Sequence, residues 1–179
     1  MPADFTPKQD AQLSIHECNS YRFLIIQIGL RALAALLSAA AIPVMCTSNR
    51  DVLVYNIVFS ARYSYFAAFR FMVAVDAIVS AFSAASAVLI YMIKAKGIFY
   101  FLHLHDTVMM VVAMAGCAAA TAVGHVGYHG VDEVGWTAAC QNAGGFCRQV
   151  LVSVVLSYVA LLIYVILHGT LLYTCTRIS

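Results

Sequence analysis

The sequence predicts an all-α fold: a bundle of four membrane-crossing helices with both chain ends on one side. Three observations predict it. Of the 179 residues, 63% are hydrophobic and only 10% are charged, against about a quarter charged in an ordinary globular domain. The mean hydropathy of +0.88 leaves too little polar surface to cover a soluble core. Four apolar runs, residues 23–45, 71–93, 98–124 and 150–172, are each long enough to cross a bilayer, which takes about 20 residues of helix for about 30 Å of hydrocarbon. The runs are apolar all round, whereas buried helices of a soluble bundle keep polar faces and place apolar residues mostly at i, i+3, i+4 and i+7.

The segments between the runs set the topology. Residues 1–22 are polar and include Asp4, Asp10 and Glu17. A secretory signal would begin basic and then turn apolar, so the first run is expected to stay in the mature protein. Lys94, Lys96 and Gly97 join runs two and three in a turn tight enough to make those helices antiparallel neighbours. The two lysines place that turn in the cytoplasm by the positive-inside rule. Lys8, Arg22 and Arg177 agree, while Arg50, Arg62 and Arg148 fall on the outer side. Residues 1–22 and 174–179 therefore read as cytoplasmic tails, 23–173 as the membrane domain, and 46–70 and 125–149 as outer loops. The second loop holds Gly127, Gly130, Gly135, Gly144 and Gly145 and reads as irregular.

Charges inside the runs are the first candidates for a site. A charge at the bilayer centre costs about 2.5 to 3.5 kcal/mol on insertion scales and usually faces the bundle interior. Arg31 in run one and Asp106 in run three stand eight and seven residues past Phe23 and Phe99. Both lie roughly 10 to 12 Å from the cytoplasmic side at about 1.5 Å per residue. They are expected to form a buried ion pair between helices one and three. The alternative is an Arg31 that snorkels to the headgroups while Asp106 meets water, and snorkelling from this depth strains an Arg. Asp76, in the outer part of run two, would be a cation or proton site in a functional reading. Hydrogen bonding to helix neighbours or loop water is the expectation.

Histidines and cysteines are the next candidates. His103 and His105 are two apart and diverge by about 200° on a helix. His125 and His129 have an i,i+4 spacing that would suit zinc on a helix. Gly127 and Gly130 argue against a continuous helix there, and no third ligand is evident. No metal and no cofactor is expected. The six cysteines, Cys18, Cys46, Cys117, Cys140, Cys147 and Cys175, contain no C-x-x-C, which argues against a zinc ribbon or a thiol oxidoreductase. Cys140 and Cys147 share the second outer loop, where an oxidising face would let them bridge and stiffen the loop near Trp136. Free thiols, or bridges to partners such as Cys46, are the alternatives. Cys175, at the inner membrane edge, permits palmitoylation.

Small residues recur at helical spacing: Gly116, Ala120 and Gly124 in run three, Ala77, Ala81 and Ala85 in run two, Ala35 and Ala39 in run one. Such stripes let backbones approach in lipid, within one chain or between chains. The net charge of +2 and ten scattered Lys and Arg argue against a nucleic-acid partner.

Three segments resemble the plant Casparian strip membrane domain-like (CASP-like) family, a group related to the MARVEL fold. "GLRALAALLSAAAIPVM" places Arg31 at the family's membrane Arg. "HDTVMMVVAMAGCAAATAVGHVGYHG" places Asp106 at its membrane Asp. "GWTAACQNAGGFCRQV" is similar to its W-x3-C-x6-C loop through Trp136, Cys140, Phe146 and Cys147. "YSYFAAFRFMVAVDAIVSAFSAAS" also looks like the family's second helix. The likeness spans about residues 23–173. The first outer loop, "CTSNRDVLVYNIVFSARYSYF", lacks the Leu-Pro-Phe-Phe type stretch of the Casparian strip members proper.

The resemblance implies a non-enzymatic plasma-membrane scaffold. Such a protein would sit in membrane lipid, form homo- and hetero-oligomers with family members, and recruit wall-modifying enzymes. The rival class is a small channel or transporter that uses Arg31, Asp106 and Asp76 as pathway residues. Against it, the four runs show no inverted repeat, broken helix pair or filter-like loop.

Overall fold

The computed structural model describes residues 7–54, 57–92, 98–130, 138–141 and 143–178. Four helices carry the fold: α1 (Pro7–Cys46), α2 (Ala67–Met92), α3 (Ile98–His129) and α4 (Gly144–Ile178). All four are long and apolar enough to cross a membrane, over Leu24–Cys46, Ala67–Met92, Phe101–His129 and Gly144–Thr170. The molecule is thus a multi-pass membrane protein.

The helices overrun the apolar runs that define them. α2 begins at Ala67 rather than 71, and α4 begins at Gly144 rather than 150. α3 passes Gly124 and Gly127 and ends at His129, inside the stretch expected to be irregular. A glycine in a helix costs only about 1 kcal/mol relative to alanine, too little to stop a helix that is packed on its neighbours. The chain turns at Gly130, where φ is 74° and the amide donates to the Val126 carbonyl at 2.8 Å. Left-handed backbone of this kind is where a helix-ending glycine is needed.

The first outer loop contains a β-hairpin that the sequence reading did not include. Strands β1 (Asn49–Val54) and β2 (Ile57–Arg62) pair antiparallel, with Val54 opposite Ile57 and Asn49 opposite Arg62. β2 opens with Ile57, Val58 and Phe59, and β1 carries Val52 and Val54, residue types that favour extended backbone. In α1, Pro43 removes one helical amide donor near the end. The helix closes when Ser48 and Thr47 turn their hydroxyls back to the carbonyls of Met45 and Pro43, at 2.6 and 2.7 Å.

α1 packs against α2 and α4, and α3 packs against the same two helices. The square so formed has α1–α3 and α2–α4 as its diagonals. Two apolar clusters fill it. One joins Ala34, Val75, Val79, Met109, Ala113, Leu161 and Leu167. The other, at the hairpin end, joins Met45, Phe69, Met72, Ala120, Phe146, Val150 and Val154. Outward faces carry large apolar side chains on every helix, among them Leu36, Val88, Val111 and Leu162. That pattern suits a molecule whose solvent is lipid.

Candidate functional site

The bundle interior holds the polar groups that an apolar solvent would reject. Arg31 on α1 and Asp106 on α3 are fully buried. Arg31 donates through Nη1 to Asp106 Oδ1 at 2.7 Å and through Nη2 to Oδ2 at 2.5 Å. This two-pronged fit of guanidinium to carboxylate is the strongest geometry an ion pair can take. It spans the α1–α3 diagonal, so two helices that do not pack side by side are joined by charge.

The pair is the start of a network that reaches all four helices. Arg31 Nη1 also donates to Ser86 Oγ on α2 at 3.1 Å. Ser86 in turn donates to the Ser83 carbonyl at 2.9 Å, and the Ser83 hydroxyl is hydrogen-bonded to the Tyr164 hydroxyl on α4. Ser83, Ser86 and Tyr164 are all buried. The sequence reading did not single them out. The available signal was Ser83 and Ser86 three apart in an apolar run, which puts both on one helix face.

Nearer the hairpin lies a second polar tie, across the other diagonal. Ser157 on α4 donates to Asp76 Oδ2 on α2 at 2.8 Å, and Ser153 donates to the Ala41 carbonyl on α1 at 2.8 Å. Asp76 is buried with no cationic partner among the described residues. Along α4, Ser157 falls between Val154 of one apolar cluster and Leu161 of the other, while Asp76 lies beside Val75 and Val79 of the latter.

Histidine and threonine line the opposite end. Gln27 donates to Thr170 Oγ1 at 2.8 Å. His103 on α3 and His168 on α4 stack with centroids 4.4 Å apart. His105 Nδ1 lies 3.4 Å from Asp106 Oδ1.

At the hairpin end, Cys140 and Cys147 form a disulfide with Cα atoms 5.8 Å apart. It fastens a short 3-10 turn, Ala139–Gln141, to the first turns of α4. That staple holds Phe146 inward, where it is buried and meets the Phe69 ring edge-on at 6.3 Å. Trp136, Lys94 and Lys96 lie outside the described residues.

The small residues of α3 divide by position. Gly116 and Ala120 are buried, and a Cβ on Gly116 would stand 3.1 Å from Val75 Cγ1 on α2. A Cβ on Gly124 would meet nothing within 4 Å. Gly116 and Ala120 thus serve packing inside the chain. Chemically, this interior pairs Arg31 with Asp106 and holds Asp76 through the Ser157 hydroxyl. Among the described residues no group of three metal-ligating side chains comes together.

Residues 21–163 match the model of the Casparian strip membrane protein domain. The chain is 45% identical over 150 residues to CASP-like protein 1F2 of Ricinus communis, covering 81% of this chain and 75% of the relative. It is 44% identical over 139 residues to CASP-like protein 1F2 of Vitis vinifera, covering 76% and 74%. To CASP-like protein 1F3 of Populus trichocarpa it is 38% identical over 149 residues, covering 81% and 77%. No solved structure gives a significant match. Arg31, Asp106, Cys140, Cys147 and Phe146 all fall within the matched domain, and the chain belongs to the CASP-like family of plant membrane proteins.

Proposed function

We propose that this protein is a non-enzymatic plasma-membrane scaffold, with both termini in the cytoplasm, that self-associates into membrane platforms. The observation that carries this reading is that buried Arg31 and buried Asp106 are taken up by each other. Arg31 and Asp106 satisfy each other at 2.7 and 2.5 Å with both side chains fully buried. A conduction pathway would instead present intramembrane charge to a water-filled cavity. Charges used this way make a rigid body whose outward faces remain for lipid and for other copies. The family supports the same reading, and with it homo- and hetero-oligomers and recruitment of wall-modifying enzymes at the outer loops.

Fluorescence recovery of a tagged protein in plant cells, paired with cross-linking, tests this. A scaffold recovers slowly and cross-links to higher species. Fast recovery as a monomer, or ion flux in reconstituted liposomes, contradicts it.

A further inference from the structure

We propose that His125 and His129 form a binding site for a borderline divalent metal ion, Cu2+ foremost, on the last turn of α3. The helix runs unbroken through Gly127 to His129, so the i,i+4 spacing becomes a shared face. The two imidazoles lie side by side there, with ring centroids 4.3 Å apart, and both side chains are exposed.

One ring is already oriented for ligation. His129 Nδ1 sits 3.4 Å from the His125 carbonyl oxygen. A carbonyl only accepts, so the tautomer that makes this bond has its proton on Nδ1 and leaves Nε2 with its lone pair. Metal-binding histidines commonly fix their tautomer by just such a bond to a backbone carbonyl. Tyr128 packs beside His129 with centroids 5.3 Å apart and limits its swing.

The ligand set selects the metal class. The Cys140 sulfur lies 3.9 Å from where a Gly127 Cβ would stand, and it is oxidised in the disulfide. Imidazole nitrogen suits copper, nickel and zinc, and Cu2+ binds tightest of the divalent series. No third His, Cys, Asp or Glu joins the group among the described residues. The two imidazoles are thus the protein ligands on which the proposal rests.

The test uses the untagged full chain in detergent micelles, with free thiols blocked by N-ethylmaleimide. Cu2+ is titrated while electron paramagnetic resonance reads nitrogen hyperfine coupling, and Zn2+ is titrated by calorimetry. The site predicts one equivalent bound with two imidazole nitrogens. Loss of an outer-shell partner alone costs about 10- to 100-fold in metal affinity, so His125→Ala and His129→Ala should each weaken binding at least about tenfold. His103→Ala should leave it unchanged. Circular dichroism confirms that each variant keeps its helices. No binding by the native chain, or binding that survives in His125→Ala and His129→Ala, overturns the proposal.

Discussion

Arg31 and Asp106 face each other across the diagonal of the four-helix square, joined by two parallel hydrogen bonds and closed off from solvent. Removing one partner strands the other as an uncompensated buried charge, which typically costs about 3 to 5 kcal/mol. Arg31→Gln and Asp106→Asn should each lose about that much stability, read as unfolding in micelles by circular dichroism. Arg31→Lys should not rescue the loss, because an ammonium lacks the planar fork.

Asp76 should respond differently. Its partner is the Ser157 hydroxyl at 2.8 Å rather than a cation. Asn offers the same shape and can hydrogen-bond Ser157, so Asp76→Asn should cost under about 1 kcal/mol, within the net worth of an ordinary hydrogen bond. Asp76→Leu should also cost under about 1 kcal/mol, since the Ser157 hydroxyl keeps the Ser153 carbonyl at 3.2 Å. Parallel unfolding curves of Asp76→Asn and Asp106→Asn check the contrast.

Gly116 and Gly124 separate by the space around them. An added Cβ at Gly116 would crowd Val75 Cγ1 at 3.1 Å. Gly116→Val should therefore destabilise by about 1 to 3 kcal/mol, the usual range for overpacking, and Val75→Ala should recover part of it. Gly124→Ala, with nothing within 4 Å, should be neutral or slightly stabilising. Melting temperatures of these variants decide the point.

The Cys140–Cys147 bridge closes a loop with a sequence separation of 7. Chain-entropy arguments give such a short loop about 2 to 3 kcal/mol at most. Cys140→Ser should lower stability by no more than that, with the effect concentrated at the start of α4. Hydrogen exchange should show faster exchange around Phe146 while the Arg31 region stays protected. Peptide mapping without reduction should recover Cys140 and Cys147 in one linked fragment.

The sequence points to Arg31 and Asp106 because a lone charge stands out in an apolar run. It points to Cys140 and Cys147 because they share one short loop. It says little about Ser83, Ser86 and Tyr164. Hydroxyls are cheap in a helix, since each can bond a backbone carbonyl of its own turn, as Ser86 does with Ser83. Composition therefore cannot separate a hydroxyl that stays home from one that reaches another helix. The hairpin at Asn49–Arg62 was hidden for a related reason. Its apolar strands are too short to read as a span and sit between two that do. α3 extends to His129 despite Gly124 and Gly127, because each costs a helix only about 1 kcal/mol and does not stop it.

The central claim is that charge pairing between Arg31 and Asp106 holds the α1–α3 diagonal. A double-mutant cycle on unfolding free energy in micelles tests it most directly, using Arg31→Met, Asp106→Leu and the two together. The account predicts strong coupling: each single change costs about 3 to 5 kcal/mol, and the double variant recovers most of it. Losses that simply add, with no coupling between the two positions, would contradict it.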